Sequence, residues 1–132
     1  MGLIVDTDVW VLAEKGQIDL DWSRWANYGG AFMSVVSASE LLVGVERAST
    51  ALRKAKRFAF VENLLAVIPI LELSLPVARI HARVLSSLPK GVTAGAHDAL
   101  IAATAIYHGY AVLTRNVSDF QIFKGLEVEP LI

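Results

Sequence analysis

The chain has 132 residues, 55% of them hydrophobic, no cysteine and a formal net charge of −1. That length predicts one domain with a core that needs no covalent staple, and the missing cysteines exclude disulfides and zinc–thiolate sites and suit a reducing cytosol. The near-neutral charge excludes a molecule-wide basic field, so any polyanion must be met by a local patch or a metal.

The apolar surplus points to a buried protein–protein face. No basic region precedes an apolar stretch at the start, so no signal peptide is expected. The longest apolar stretch, Ala99 to Leu113, is broken by Thr104, His108 and Gly109. It is shorter than the ~18–20 residues a membrane-spanning helix needs. A soluble cytoplasmic protein, with no membrane partner, is expected.

In chain order, Gly2 to Val5 is a short continuous apolar run, the pattern of a buried parallel strand. Thr7 or Asp8 can cap a helix through Glu14, with Lys15-Gly16 as its stop. Leu20 to Tyr28 reads as an amphipathic helix carrying Trp22 and Trp25, ended by Gly29-Gly30. Ala31 to Val36 is the second strand, and Ser37 is placed to cap a helix running through Leu41, Leu42, Val45 and Glu46. Thr50 caps a long helix to about Ala66. Val67 to Leu71 is a third strand, which Pro69 confines to an edge or a strand start. Leu75-Pro76 opens a helix with Ile80, Val84 and Leu88 on one face, ended by Pro89-Lys90-Gly91. Val92 to His97 is a loop, Asp98 to His108 an apolar helix closed by Gly109, Tyr110 to Thr114 a fourth strand and Leu126 to Val128 a short last one. Strands alternating with helices predict an α/β fold, a central parallel sheet of four to five strands covered by helices on both faces. No repeat, low-complexity segment or linker divides the chain.

Five acidic or polar residues sit beside these apolar runs: Asp6, Glu40, Asp98, Asn116 and Asp119. Each has a structural alternative. Asp6 and Asp98 could cap helices. Glu40 stands three residues after Ser37, the capping-box spacing. Asp119 could cap a turn anchored by Phe120, and Asp8 reads as a helix cap. Together, however, Asp6, Glu40, Asp98 and Asp119 fall at strand-end positions that an open parallel sheet brings to one edge. Clustered carboxylates stay ionised only when a cation offsets them. Their oxygens suit Mg²⁺ or Mn²⁺, which acidify water and stabilise phosphoryl charge. Thr114 and Asn116, at the fourth strand's end, could bind water or a phosphate oxygen.

The residue set resembles the PIN-domain family and, within it, the VapC-type toxins of bacterial toxin–antitoxin pairs. Four blocks carry the resemblance: Ile4-Val5-Asp6-Thr7-Asp8-Val9, then Ser34 to Val45 around Glu40-Leu41, then Asp98-Ala99-Leu100-Ile101-Ala102-Ala103-Thr104-Ala105, then Thr114-Arg115-Asn116-Val117-Ser118-Asp119-Phe120. They span nearly the whole chain, so the resemblance implies one PIN domain over residues 1–132. It implies a Mg²⁺- or Mn²⁺-dependent endoribonuclease in which Asp6, Asp98 and Asp119 hold the metal. Glu40 would orient the attacking water or hold a second ion, and cleavage would leave a 5′-phosphate and a 3′-hydroxyl. It further implies a homodimer or higher homo-oligomer and a cognate VapB-type antitoxin that blocks the site. Operator DNA would be bound only through that antitoxin. Asp8 departs from the family's usual Asn or Ser, and His97 is outside the pattern and receives no role.

RNA must also be gripped. Arg53, Lys54, Lys56 and Arg57 form a basic run that is either a solvated helix face or a phosphate-tracking patch. Arg115, with Thr114 and Asn116, is a second candidate for phosphate contact. Trp22, Trp25 and Tyr28 read as core or antitoxin groove rather than base-stacking platforms. Two other readings compete. Asp6 and Asp8 also fit the Asp-x-Asp start of haloacid-dehalogenase-like phosphatases, with Lys90 or Lys124 as the required lysine. Alternatively, the domain is chiefly a binding and regulatory part of an antitoxin–DNA complex.

Overall fold

The computed structural model describes residues 1–132. Its centre is a parallel sheet of five strands in the order β3-β2-β1-β4-β5. The strands are β1 (Leu3–Val5), β2 (Ala31–Ser34), β3 (Ile70–Leu71), β4 (Ala111–Thr114) and β5 (Val128–Pro130). The helices are α1 (Thr7–Glu14), α2 (Val35–Glu46), α3 (Ala51–Val67), α4 (Leu75–Ser86), α5 (Ala96–His108) and α6 (Val117–Gln121), with a 3₁₀ segment at Trp22–Tyr28. β1 and β4 are buried along their whole length, which is why both read as unbroken apolar runs. Alternate residues feed two cores. Leu3, Val5 and Leu113 join Val9, Trp10, Met33, Leu41 and Val61 on one face. Ile4 and Val112 join Val36, Ala99, Ile101, Ala102, Phe120 and Phe123 on the other.

From β1 the chain steps outward through β2 to β3 and then returns to the opposite side of β1 with β4. The β1–β4 pair is therefore the topological switch point, where open α/β sheets open a crevice at their carboxyl ends. Asp6 follows β1 and the Arg115–Asp119 segment follows β4, so the topology alone brings them together.

Several boundaries depart from the sequence reading, and three departures reposition the site. Ser34, not Ser37, caps α2 by accepting from Val36 N. Strand β2 stops once Ser34 has paired with Leu71, so Val35 and Val36 are helical although their side chains continue the apolar run. Glu40 consequently lies in the second turn of α2 and is no capping-box residue. Asp6 itself caps α1, leaving Thr7 and Asp8 inside its first turn. Helix α5 starts at Ala96, with Gly95 at its N-cap and no side-chain cap, so His97 and Asp98 project from its first turn.

Other corrections are local. The expected helix over Leu20 to Tyr28 is the 3₁₀ segment, capped by Asp21 and irregular at Trp25. A three-residue repeat suits Trp22 and Trp25, whose rings lie 5.7 Å apart with Trp10 a further neighbour of Trp22 at 5.8 Å. Helix α4 ends at Ser86, ahead of the Pro89 stop, and β5 sits two residues beyond the expected Leu126 start. Helix α6 stands where the sequence reading has a turn around Asp119 and Phe120. Fully buried Phe120 holds it down, a burial that contributes roughly 1.5–3 kcal/mol.

Candidate metal centre

Asp6 is the most constrained acid. Only 5% of it is exposed. Its Oδ1 accepts from Thr7 N at 2.8 Å, and its Oδ2 accepts from Thr114 Oγ1 at 2.9 Å. Thr114 Oγ1 in turn accepts from Asn116 N at 2.9 Å, so the end of β4 is clamped to the end of β1 through a buried hydroxyl. Burial pushes the Asp6 carboxyl up to about 6. The Thr114 hydrogen bond works the other way, while the charges of Asp8 and Asp98 raise it further.

Asp98 is raised as well, first by burial and then by the charges of Asp119, Glu40 and Asp8, with His97 opposing. Asp98 is thus the hub of the acidic residues, within electrostatic reach of Asp6, Glu40, Asp119 and Asp8. No three of the acidic and histidine side chains are gathered closely enough to hold a metal ion as they stand.

Asp8 is neither a cap nor unattached. It accepts from Asn116 Nδ2 at 2.6 Å and lies 3.8 Å from Arg115. Asn116 and Arg115 therefore serve Asp8 in this structure. Each oxygen of Glu40 has a close neighbour: Thr7 Oγ1 donates to Oε1 at 2.7 Å, and His97 Nδ1 lies 3.0 Å from Oε2. Thr7 Oγ1 is also 2.8 Å from Ser37 Oγ. A carboxylate can only accept, so the Thr7 proton belongs to Glu40 and Ser37 supplies the proton of the other contact.

The donor set fits a hard divalent cation. It is all oxygen, it is partly desolvated, and its members repel one another. Arg115 lies 3.8 Å from Asp8, and His97 Nδ1 3.0 Å from Glu40.

The basic run on α3 does not form one open patch. Arg57 donates to Glu14 Oε1 and to Gly44 O, both at 2.9 Å. Lys54 pairs with Glu46 at 3.5 Å, and Arg53 donates to Ser49 Oγ at 2.8 Å. Lys56 is exposed. Arg57 and Glu40 nonetheless line one cavity of about 240 Å³ with Leu41 and Phe60, which brings one member of the run to the edge of the acidic cluster. Trp25 and Tyr28 are core residues, as expected. Lys124, needed by the phosphatase reading, lines a separate cavity with Arg83 and Ile106, and both oxygens of Asp6 are engaged rather than presented as a nucleophile.

The sequence reading missed His97, Thr7 and Ser37 as members of the site. The available signals were the place of His97 beside Asp98 and of Thr7 between two aspartates. What joins them is the meeting of α1, α2 and α5, which no local pattern encodes.

A five-stranded parallel sheet with acidic side chains at its switch point defines the class: an α/β protein whose candidate site lies at the carboxyl ends of its central strands. The family model for the PIN domain matches residues 3–124, a span containing every acid described above, and the chain belongs to that family. It is 41% identical over 129 residues to Ribonuclease VapC1 of Rickettsia felis, covering 97% of this chain and 95% of that protein. Ribonuclease VapC of Rickettsia bellii is 36% identical over the same shares. Among solved structures, DNA-bound VapBC from Salmonella typhimurium superposes with a TM-score of 0.88 over 100% of this chain and 99% of that one, at 23% identity. VapBC-5 of Mycobacterium tuberculosis gives 0.72 at 28% identity, over 98% and 96%.

Proposed function

We propose that residues 1–132 form a single PIN domain acting as a metal-dependent endoribonuclease, the toxin of a type II toxin–antitoxin pair. The observation that supports this reading is that Asp98 lies within electrostatic reach of Asp6, Glu40 and Asp119 beside the β1–β4 switch point. It stands in a chain aligned over 97% of its length with proteins named ribonuclease VapC.

The chain's own groups divide the work. Asp6 is held from two sides, by Thr7 N and the Thr114 hydroxyl, so its position is set before any ion arrives. Asp98 and Asp119 complete the set from the first turns of α5 and α6. Mg²⁺ or Mn²⁺, when bound, would offset the carboxylate charge, acidify water and stabilise charge developing on a phosphoryl oxygen. Glu40, with both oxygens tied, orients the water that attacks phosphorus in line. Arg115, half-exposed beside Asp8, and Arg57, in the cavity shared with Glu40, are the arginines placed to meet RNA phosphates. Thr114 and Asn116 organise this edge rather than contact RNA, and Arg53, Lys54 and Lys56 supply a weaker, more distant field.

A small VapB-type antitoxin is the expected partner. The Rickettsia felis VapBC2 structure, bound to a promoter fragment, supports operator binding by such a complex. The exposed apolar side chains Leu52, Phe58, Leu75 and Leu85 support a homodimer or higher assembly. No helix is long and apolar enough to cross a membrane, in keeping with a cytoplasmic role. The test is cleavage of a mixed pool of structured RNAs by antitoxin-free protein with Mn²⁺, with chelator, and with Asp98→Asn. Cutting that needs the metal and vanishes in the variant is expected. Metal-independent cutting, or none, refutes the proposal.

A further inference from the structure

His97 is a second-position residue of α5, with 59% of its side chain exposed. Its Nδ1 lies 3.0 Å from Glu40 Oε2. A carboxylate can only accept, so the proton in that contact sits on Nδ1. A carboxylate at Nδ1 fixes both the tautomer and the orientation of the ring, and the ring in return fixes the carboxylate.

The contact extends a chain of hydrogen bonds that runs Ser37, Thr7, Glu40 between α2 and α1, and brings α5 to its end through the 3.0 Å approach of His97. Both flanks of this chain adjoin the acids assigned to the metal. Thr7 N holds Asp6, and His97 immediately precedes Asp98. With Thr7 alone, Glu40 would have one tether and could swing about it. With His97 added, each oxygen has its own donor from a different helix.

We infer that His97 is a positioning residue, which fixes the Glu40 carboxylate for RNA cleavage by donating a hydrogen bond from Nδ1. The inference rests on the ribonuclease reading above. Because the imidazole is largely exposed, the contact adds little to fold stability, so its effect falls on geometry.

Steady-state cleavage in saturating Mn²⁺ by wild type, His97→Ala, His97→Asn and His97→Gln tests it. Asn places an amide N–H where Nδ1 stands, whereas Gln reaches toward the Nε2 position. His97→Ala is expected to lower kcat about ten- to a hundredfold with KM little changed, as for other residues that orient a metal-site group. Its melting temperature should move by less than about 2 °C. His97→Asn is expected to recover most of kcat and His97→Gln little.

Wild-type kcat in His97→Ala overturns the inference. So does a loss that Asn fails to restore, or a rise in KM at constant kcat, which would make His97 a substrate contact instead. If wild type cuts no RNA, the ribonuclease reading has failed. The contact is then judged by imidazole ¹⁵N NMR on metal-free protein at about pH 8, where an ordinary histidine is neutral. A proton on Nδ1 with ring resonances that shift in Glu40→Gln sustains it, and a proton on Nε2 overturns it.

Discussion

The two ends of the sheet are built to opposite rules. At the amino end, Gly2 lies so close to Phe32 that a Cβ there would come within 2.6 Å of the ring, Phe32 stacks on Tyr110 at 4.8 Å, and Tyr110 on His108 at 5.3 Å. At the carboxyl end stand Asp6, Thr7, Ser34, Ser37 and Thr114, which together are all the buried polar residues except Thr104. Thr104 answers a local need, donating to Leu100 O within α5. One end is therefore sealed by ring stacking and close approach. The other accepts the desolvation of an acid and surrounds it with hydroxyls and further acids. Stability resides at the first and reactivity at the second, and substitutions at the two ends should separate accordingly.

The largest separation is expected from Asp98→Asn. On the proposed function, losing a carboxylate that helps hold the charge-offsetting ion should lower metal-dependent RNA cleavage by a factor on the order of 10³ while the circular dichroism spectrum is retained. An intact cleavage rate would remove Asp98 from the site. The next effect is one of pH on the metal-free protein. Asp6 titrates at about 6 in the folded chain against 3.8 for an unperturbed carboxyl. The native state therefore binds its proton more tightly than the unfolded state. Stability from this group is complete below about pH 4 and is lost as pH rises through about 6, a difference of about 3 kcal/mol at 1.36 kcal/mol per pH unit. Denaturant titrations at several pH values should show this slope in wild type and a flatter one in Asp6→Asn. Equal slopes would refute the burial argument.

Gly2→Ala tests the opposite end. The added methyl must displace the Phe32 ring, at a cost of about 1–3 kcal/mol by denaturant unfolding, with cleavage per folded molecule unchanged. A loss of turnover without a loss of stability would break the contrast between the ends. The smallest effect is the most local. A Cβ on Gly95 would sit 3.0 Å from Asp98 Oδ2, and φ there is −61°, so an alanine crowds the carboxylate without straining the backbone. Gly95→Ala should cost about 0.5–1 kcal/mol of stability, since alanine is a poorer N-cap than glycine. Cleavage should fall several-fold, and an undiminished rate would show that Asp98 tolerates displacement.

Much of this was readable in the chain because it is written locally. The unbroken apolar runs of β1 and β4 announce a buried parallel sheet, Thr50 and Gly109 punctuate α3 and α5, and Pro69 marks β3 as an edge strand. What was not readable depends on long-range pairing. Ser34 and Ser37 are equal as caps on paper, and the choice is made by where β2 ceases to pair with β3. Arg57 belongs to a basic run in sequence but is drawn to Glu14, in a helix far earlier in the chain. Asp8, read as a cap, is taken by Asn116 from the far side of the switch point. The candidate acids were readable because each sits in a contiguous block of the family resemblance. The hydroxyl and imidazole groups that hold Glu40 were not, because each comes from a different helix.

All three tryptophans of the chain, Trp10, Trp22 and Trp25, lie in one stack between α1 and the 3₁₀ segment. The indole emission of this protein therefore reports a single neighbourhood on one face of the sheet. The α4–α5 layer on the other face contributes no indole signal. A melt followed by fluorescence watches one core, and a melt followed by circular dichroism watches all the helices. Superposition of the two curves would mean that both faces of the sheet come apart as one cooperative unit.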